Sequence, residues 1–89
     1  MYQYEILPSL QKILHKLSKK DKATYEQVLT KIEEVIHSAE VEHYKNLRYD
    51  LKDKKRVHIG PFVLVFSYKK EENKIVFLDF DHQDAIYNK

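Results

Sequence analysis

The chain has 89 residues, of which 43% are apolar and 34% charged, with a net charge of +2 and no cysteine. This length supports one thin core and not two, the composition is that of a folded chain rather than a disordered one, and the missing cysteine excludes disulfides and thiolate metal sites. No run approaches the ~20 apolar residues of a membrane span, and the opening MYQYEILPSL lacks a signal-peptide layout, so a soluble cytoplasmic protein without membrane contacts is expected.

YQYEIL (2–7) alternates moderately and stops at Pro8, which predicts a short first strand. Ser9 is expected to cap a helix whose apolar residues Leu10, Ile13, Leu14 and Leu17 fall at helical spacing. SKKD (18–21) has the form of a capping box and predicts the start of a second helix. On that helix Tyr25, Val28, Leu29, Ile32, Val35 and Ile36 make a second apolar stripe, so the two helices should form an antiparallel hairpin with one face seeking a sheet.

RVHI (56–59), FVLVFSY (62–68) and KIVFLDF (74–80) read as strands, joined by a turn at Gly60-Pro61 and by the polar connection KKEEN (69–73). The fold class expected is α+β: two N-terminal helices on one face of a mostly antiparallel four-stranded sheet, β-α-α-β-β-β, in a single domain over 1–89. Phe62, Leu64, Phe66 and Tyr68 share the strand face that should meet the helices. Val63, Val65 and Ser67 share the other face, for which no covering element is evident. That leaves an apolar patch open to a partner.

Charge is unevenly placed. KNLRYDLKDKKRVH (45–58) holds six Lys or Arg against two Asp, whereas residues 71–89 hold five acids against two Lys. A focused basic stretch attracts phosphate, and Lys45, Arg48 and Lys55 are the candidate phosphate-binding cations, which the resemblance named below would turn toward RNA. The plainer alternative is a solvated, lysine-rich surface. Arg56 and His58 are two apart and point a guanidinium and an imidazole to one side of their strand, opposite Val57 and Ile59.

With these segments in order, the sequence resembles the RelE/ParE superfamily of toxin–antitoxin toxins. The resemblance rests on Y-x-Y-x-I-x-P-S near the start, two helices, and R-V-H-I-G-P-F where the family typically reads R-V-R-I-G-D-Y-R. The end, H-Q-D-A-I-Y, resembles the family's closing H-R-x-x-I-Y. RelE-type members cut messenger RNA on the ribosome and are neutralised by an antitoxin protein; ParE-type members share the fold and target DNA gyrase. The resemblance therefore implies a type II toxin that is a ribosome-dependent endoribonuclease needing no metal or other cofactor, with mRNA, the ribosome and an antitoxin as partners. The alternative is a non-cleaving protein of the same fold, either a ParE-like gyrase inhibitor or a degenerate toxin homologue. Outside the family stands a simple RNA-binding module.

Cleavage through a 2′-hydroxyl requires a base, an acid for the leaving oxygen, and cations for the charge that builds on the phosphate. Lys52, Lys54, Arg56 and His58 are candidates around the strand before the glycine turn, and by resemblance His82 and Tyr87 join them from the end of the chain. A phenol, ordinarily titrating near about 10, needs cationic neighbours to act as a base. Without the resemblance, His82 reads as a solvent-facing strand end and Tyr87 as a C-terminal anchor. Arginines of the family pattern are replaced by Val63 and Gln83, which removes bidentate phosphate donors. Asp79 and Asp81 share a strand face, but His82 should point away from them, so no metal ligands are assigned. His15, His37 and His43 are expected at the surface. An antitoxin is expected to cover Val63 and Val65.

Overall fold

The computed structural model describes residues 1–48 and 51–88, except the side chains of Arg48, Leu51 and Lys52. Strand β1 (Gln3–Ile6) gives way to helix α1 (Pro8–Lys20) at Leu7, which is extended at φ −62° and ψ 148°. Proline forces that conformation on the residue before it and starts the helix from its own fixed φ. No side chain caps α1, so Ser9 lies inside the helix instead of before it. The Leu7 carbonyl accepts from the Gln11 N–H, and the Gln11 side chain reaches back to the Ile6 carbonyl at 2.8 Å.

The second helix, α2 (Lys22–Ile36), begins three residues later than SKKD implied, with its N-cap at Asp21 and not Ser18. The Ser18 hydroxyl donates to the His15 carbonyl within α1. Asp21 alone separates the helices: its N–H closes α1 on the Leu17 carbonyl, and its carboxylate caps α2 by accepting from the Thr24 N–H and hydroxyl. Two hydrogen bonds to the anion hold that carboxyl below the usual aspartate range.

Beyond α2 come a 3₁₀ turn (Val41–His43) and strands β2 (Asn46–Arg48), β3 (Leu51–Ile59), β4 (Phe62–Lys69) and β5 (Lys74–His82). A short helix, α3 (Gln83–Tyr87), follows. The sheet has five strands in the order β1-β5-β4-β3-β2, with β1 parallel to β5 and the other pairs antiparallel. The α+β class stands; the expected count of four strands does not, because three-residue β2 has no periodicity to betray it. Gly60 takes φ +58° between paired Ile59 and Phe62. Proline at the next position cannot adopt a positive φ, which leaves the turn with glycine at its first central residue.

The main core lies between the helices and one face of the sheet, where Leu10, Leu14, Val28, Ile32 and Val35 meet Leu64, Phe66, Ile75, Phe77 and Phe80. Phe77 and Phe80 are three apart yet share this face, because the register shifts: Val65 pairs Asp79 while Phe66 pairs Phe77, leaving Leu78 extra in β5. The expectation of an uncovered valine face is overturned. Val63 and Val65 are buried in a second cluster with Ile86 of α3, flanked by Leu47, Leu78 and Tyr87. Among the described residues no helix is long and apolar enough to cross a membrane.

Candidate functional site

The site is built on the sheet face away from α1 and α2. On β3, Lys54 pairs with Ser67, Arg56 with Val65 and His58 with Val63, so three cationic or titratable side chains flank the valine column. On its other flank β5 presents Asp79 opposite Val65 and Asp81 opposite Val63. Helix α3 crosses the valines and delivers Tyr87 to Arg56.

That meeting is the most specific feature of the face. An Arg56 Nη1–H donates to the Tyr87 hydroxyl, and the guanidinium carbon stands 5.7 Å from the centre of the Tyr87 ring. The residue is half-buried, its backbone N–H bonds the Lys45 carbonyl at 3.0 Å, and its Nε–H is buried without a hydrogen-bond partner among the described residues. A buried donor left unpaired costs free energy unless an acceptor arrives. The Tyr87 hydroxyl thus holds the guanidinium in place on this face.

The other expected site residues divide. Lys54 is half-buried and His58 exposed, both on the Arg56 face. His58 also borders a shallow groove against Ala23, Gln27 and Lys31 of α2. Lys55 points to the opposite side, where its ammonium donates to the Glu42 carbonyl, the Tyr44 carbonyl and Asn46 Oδ1 at 3.0, 3.1 and 3.2 Å. It ties the 3₁₀ turn to the sheet, and so differs from the phosphate-facing lysine expected. Lys45 is exposed just before β2. The side chains of Arg48 and Lys52 lie outside the described residues.

His82 is exposed at the start of α3 and faces away from the Arg56–Tyr87 pair: its ring meets Phe62 edge-on at 5.8 Å, and its Nδ1 stands 3.9 Å from Asp84. Asp79 and Asp81 each turn an oxygen back to the next backbone N–H, at 2.8 Å. With His82 on the other side of the strand, these acids and the histidine make no metal cluster; among the described residues no such group of three occurs. Gln83 is exposed, and its backbone N–H donates to the Pro61 carbonyl at 2.9 Å, pinning α3 to the glycine turn. Sequence reasoning missed Ile86, whose burial seats α3; its spacing of one residue from Tyr87 was the available signal.

Similarity agrees with this architecture. A protein of Methanocaldococcus jannaschii named "Putative toxin RelE4" is 52% identical over 90 residues, spanning all of this chain and 94% of that one. An uncharacterised protein of Methanosarcina mazei is 40% identical over 88 residues, 98% of this chain and 100% of the other. Among solved structures, the isolated E. coli RelE toxin superimposes with a TM-score of 0.73 at 18% identity, over 99% of this chain and 98% of that chain. The toxin in the intact E. coli RelBE toxin–antitoxin complex gives 0.75 at 19% identity, over 92% and 96%. These structural likenesses establish a shared fold. Residues 4–87 match the family described as the ParE toxin of the type II toxin–antitoxin system parDE, and the chain belongs to that toxin family.

Proposed function

We propose that the protein is a cytoplasmic toxin, one domain over 1–89, that cleaves messenger RNA on the ribosome until an antitoxin protein neutralises it. The observation that carries this reading is the Arg56–Tyr87 pair. It sets a phenol oxygen against a half-buried guanidinium on the face that also carries Lys54 and His58. In attack by a ribose 2′-hydroxyl on the adjacent phosphate, Arg56 would donate to the non-bridging oxygens as charge builds. Tyr87 or Lys54 would take the proton released by the attacking 2′-hydroxyl as its oxygen bonds phosphorus, and the Tyr87 ring could instead stack on the neighbouring base with Lys54 as the acceptor. Lys54 and Lys52 would add positive field, and His58 would serve the leaving 5′-oxygen. With Val63 and Gln83 where the family pattern carries arginines, charge stabilisation falls on Arg56. His82 contributes by shaping the start of α3.

The antitoxin follows from the solved relatives, which include RelE–RelB complexes from Pyrococcus horikoshii and E. coli. For such a partner to use Val63 and Val65, it must lift α3 and replace Ile86, because both valines are buried beneath that helix. Lys45 and Arg48 would then lie along the rim of the interface or RNA path, whereas Lys55 is held on the opposite side by Glu42, Tyr44 and Asn46.

The test is to induce the protein alone in cells and map transcript ends. Codon-linked cuts should appear, fall by at least about 100-fold in Arg56→Ala, the scale of losing one transition-state donor, and fall strongly in Tyr87→Phe. The family match is named for a ParE toxin, which makes gyrase poisoning the second reading. Growth arrest with intact transcripts and broken DNA would establish it instead.

A further inference from the structure

The Arg56–Tyr87 face does not account for the most one-sided charge among the helices. Helix α1 carries Lys12, Lys16, Lys19 and Lys20 with His15 and not one acid, whereas α2 mixes Lys22 and Lys31 with Glu26, Glu33 and Glu34. All four α1 lysines are exposed, and the apolar residues Leu10, Ile13, Leu14 and Leu17 occupy the opposite side of the helix. Among the described residues no carboxylate pairs with any of the four. Lys19 and Lys20 complement the dipole at the helix end. Lys12 and Lys16 have no such role, and the Lys12–Lys16, Lys16–Lys19 and Lys16–Lys20 spacings each place like charges on neighbouring turns, which destabilises a helix. A mixed-sign surface would have avoided that cost, as α2 does.

We infer that the outward face of α1 is a second RNA-binding surface, which takes the phosphate backbone of a structured RNA through Lys12, Lys16 and Lys19. Successive cations one turn apart, about 6 Å along the axis, suit a line of phosphates better than a single anion. The absence of exposed apolar side chains among them disfavours insertion into a membrane. Because α1 packs on the side of the sheet opposite Arg56 and Tyr87, one free strand would not serve both surfaces. A protein basic on both sides fits a crevice walled by folded RNA. In this respect the inference rests on the ribosomal setting proposed above, although binding by α1 does not require cleavage.

The probe is a fluorescein-labelled RNA hairpin with 2′-O-methyl riboses, which cannot be cut through the 2′-hydroxyl, titrated with the full chain across a potassium chloride series. Lys12→Gln/Lys16→Gln should weaken binding roughly tenfold near physiological salt and lower the slope of log K against log salt by about two. Lys31→Gln, which removes a cation paired with Glu34, should change neither. The double variant relieves like-charge repulsion, so its thermal melt should match or exceed that of the unaltered chain. Unchanged affinity and slope in a folded Lys12→Gln/Lys16→Gln would overturn the inference, as would binding to phosphatidylserine vesicles without binding to the hairpin. Intact transcripts in the cellular test, together with α1-dependent hairpin binding, would remove the cleavage reading and uphold this one.

Discussion

Asp21 does the work of two loop residues. It ends α1 with its backbone N–H and starts α2 with its carboxylate, so the hairpin turns on one residue. Because the folded carboxyl is held low by Thr24, the stability it contributes is complete above the unfolded value of about 3.9 and drains as pH falls through the lower folded value. Asp21→Ala should therefore lower the melting temperature by a few degrees at pH 7, and the gap to the unaltered chain should narrow toward pH 2 in circular-dichroism melts. A gap that is constant with pH would assign the cap's contribution to something other than the anion. The sequence reading placed the cap at Ser18 because S-x-x-D has the right letters. It lacked the fact that a serine hydroxyl inside a helix can satisfy itself on a carbonyl one turn back. The site residues were legible in the same partial way. Strand alternation put Arg56 and His58 on one face, but Lys55 was grouped with the cations expected to meet RNA. No local pattern could announce that Lys55 would be absorbed by Glu42, Tyr44 and Asn46, or that Tyr87 would land on Arg56 across thirty-one positions.

Helix α3 is only five residues long, too short to hold itself in water. What holds it is Ile86 against Val63 and Val65, the Gln83 N–H on Pro61, and the Arg56 bond to Tyr87. Ile86→Ala should cost about 2 kcal/mol or more, and the loss should be local. Amide exchange in 83–87 should approach unprotected rates while β4 and β5 stay protected, as hydrogen-exchange mass spectrometry would read directly. Uniform loss of protection across the sheet would mean that α3 is part of the cooperative core. The long helices were legible because their stripes repeat at 3.6 residues over thirteen and fifteen positions. Elements of three and five residues give no such repeat, which is why β2 and α3 escaped and why Val63 and Val65 read as exposed. The extra residue Leu78 hid in the same way: it breaks the two-residue alternation so that Phe77 and Phe80 can both face the helices.

Most of the large side chains sit in one layer, with Phe66 and Phe77 fully buried where the helices meet the sheet. Phe77→Ala should cost roughly 3–5 kcal/mol, against a total stability of about 5–15 kcal/mol for domains in general. With roughly 4–8 °C per kcal/mol at this size, its melting temperature should fall by at least about 12 °C, and cooperative unfolding in urea should begin much earlier. An unchanged midpoint would show that the helical layer repacks around the void. The layered order itself was legible, since two apolar helical stripes and three apolar strands have one simple way to cover each other. The placement of β1 was not: it joins the sheet parallel to β5, helped by Lys74 bonded to Glu5 at 2.8 Å, and that partner lies some seventy residues away.

That pairing bears on when the protein can first act. A ribosome releases the chain from its N-terminus, so β1 emerges early and must wait, unpaired, for β5 to follow it out of the exit tunnel. Tyr87 emerges later still, behind both. The two helices can collapse on each other during synthesis, but the sheet cannot close and Arg56 has no phenol beside it until the final segment is free. On the proposed reading, the Arg56–Tyr87 site would be unassembled while synthesis is under way, and the interval before β1–β5 closure is when a waiting antitoxin would meet the chain unfinished.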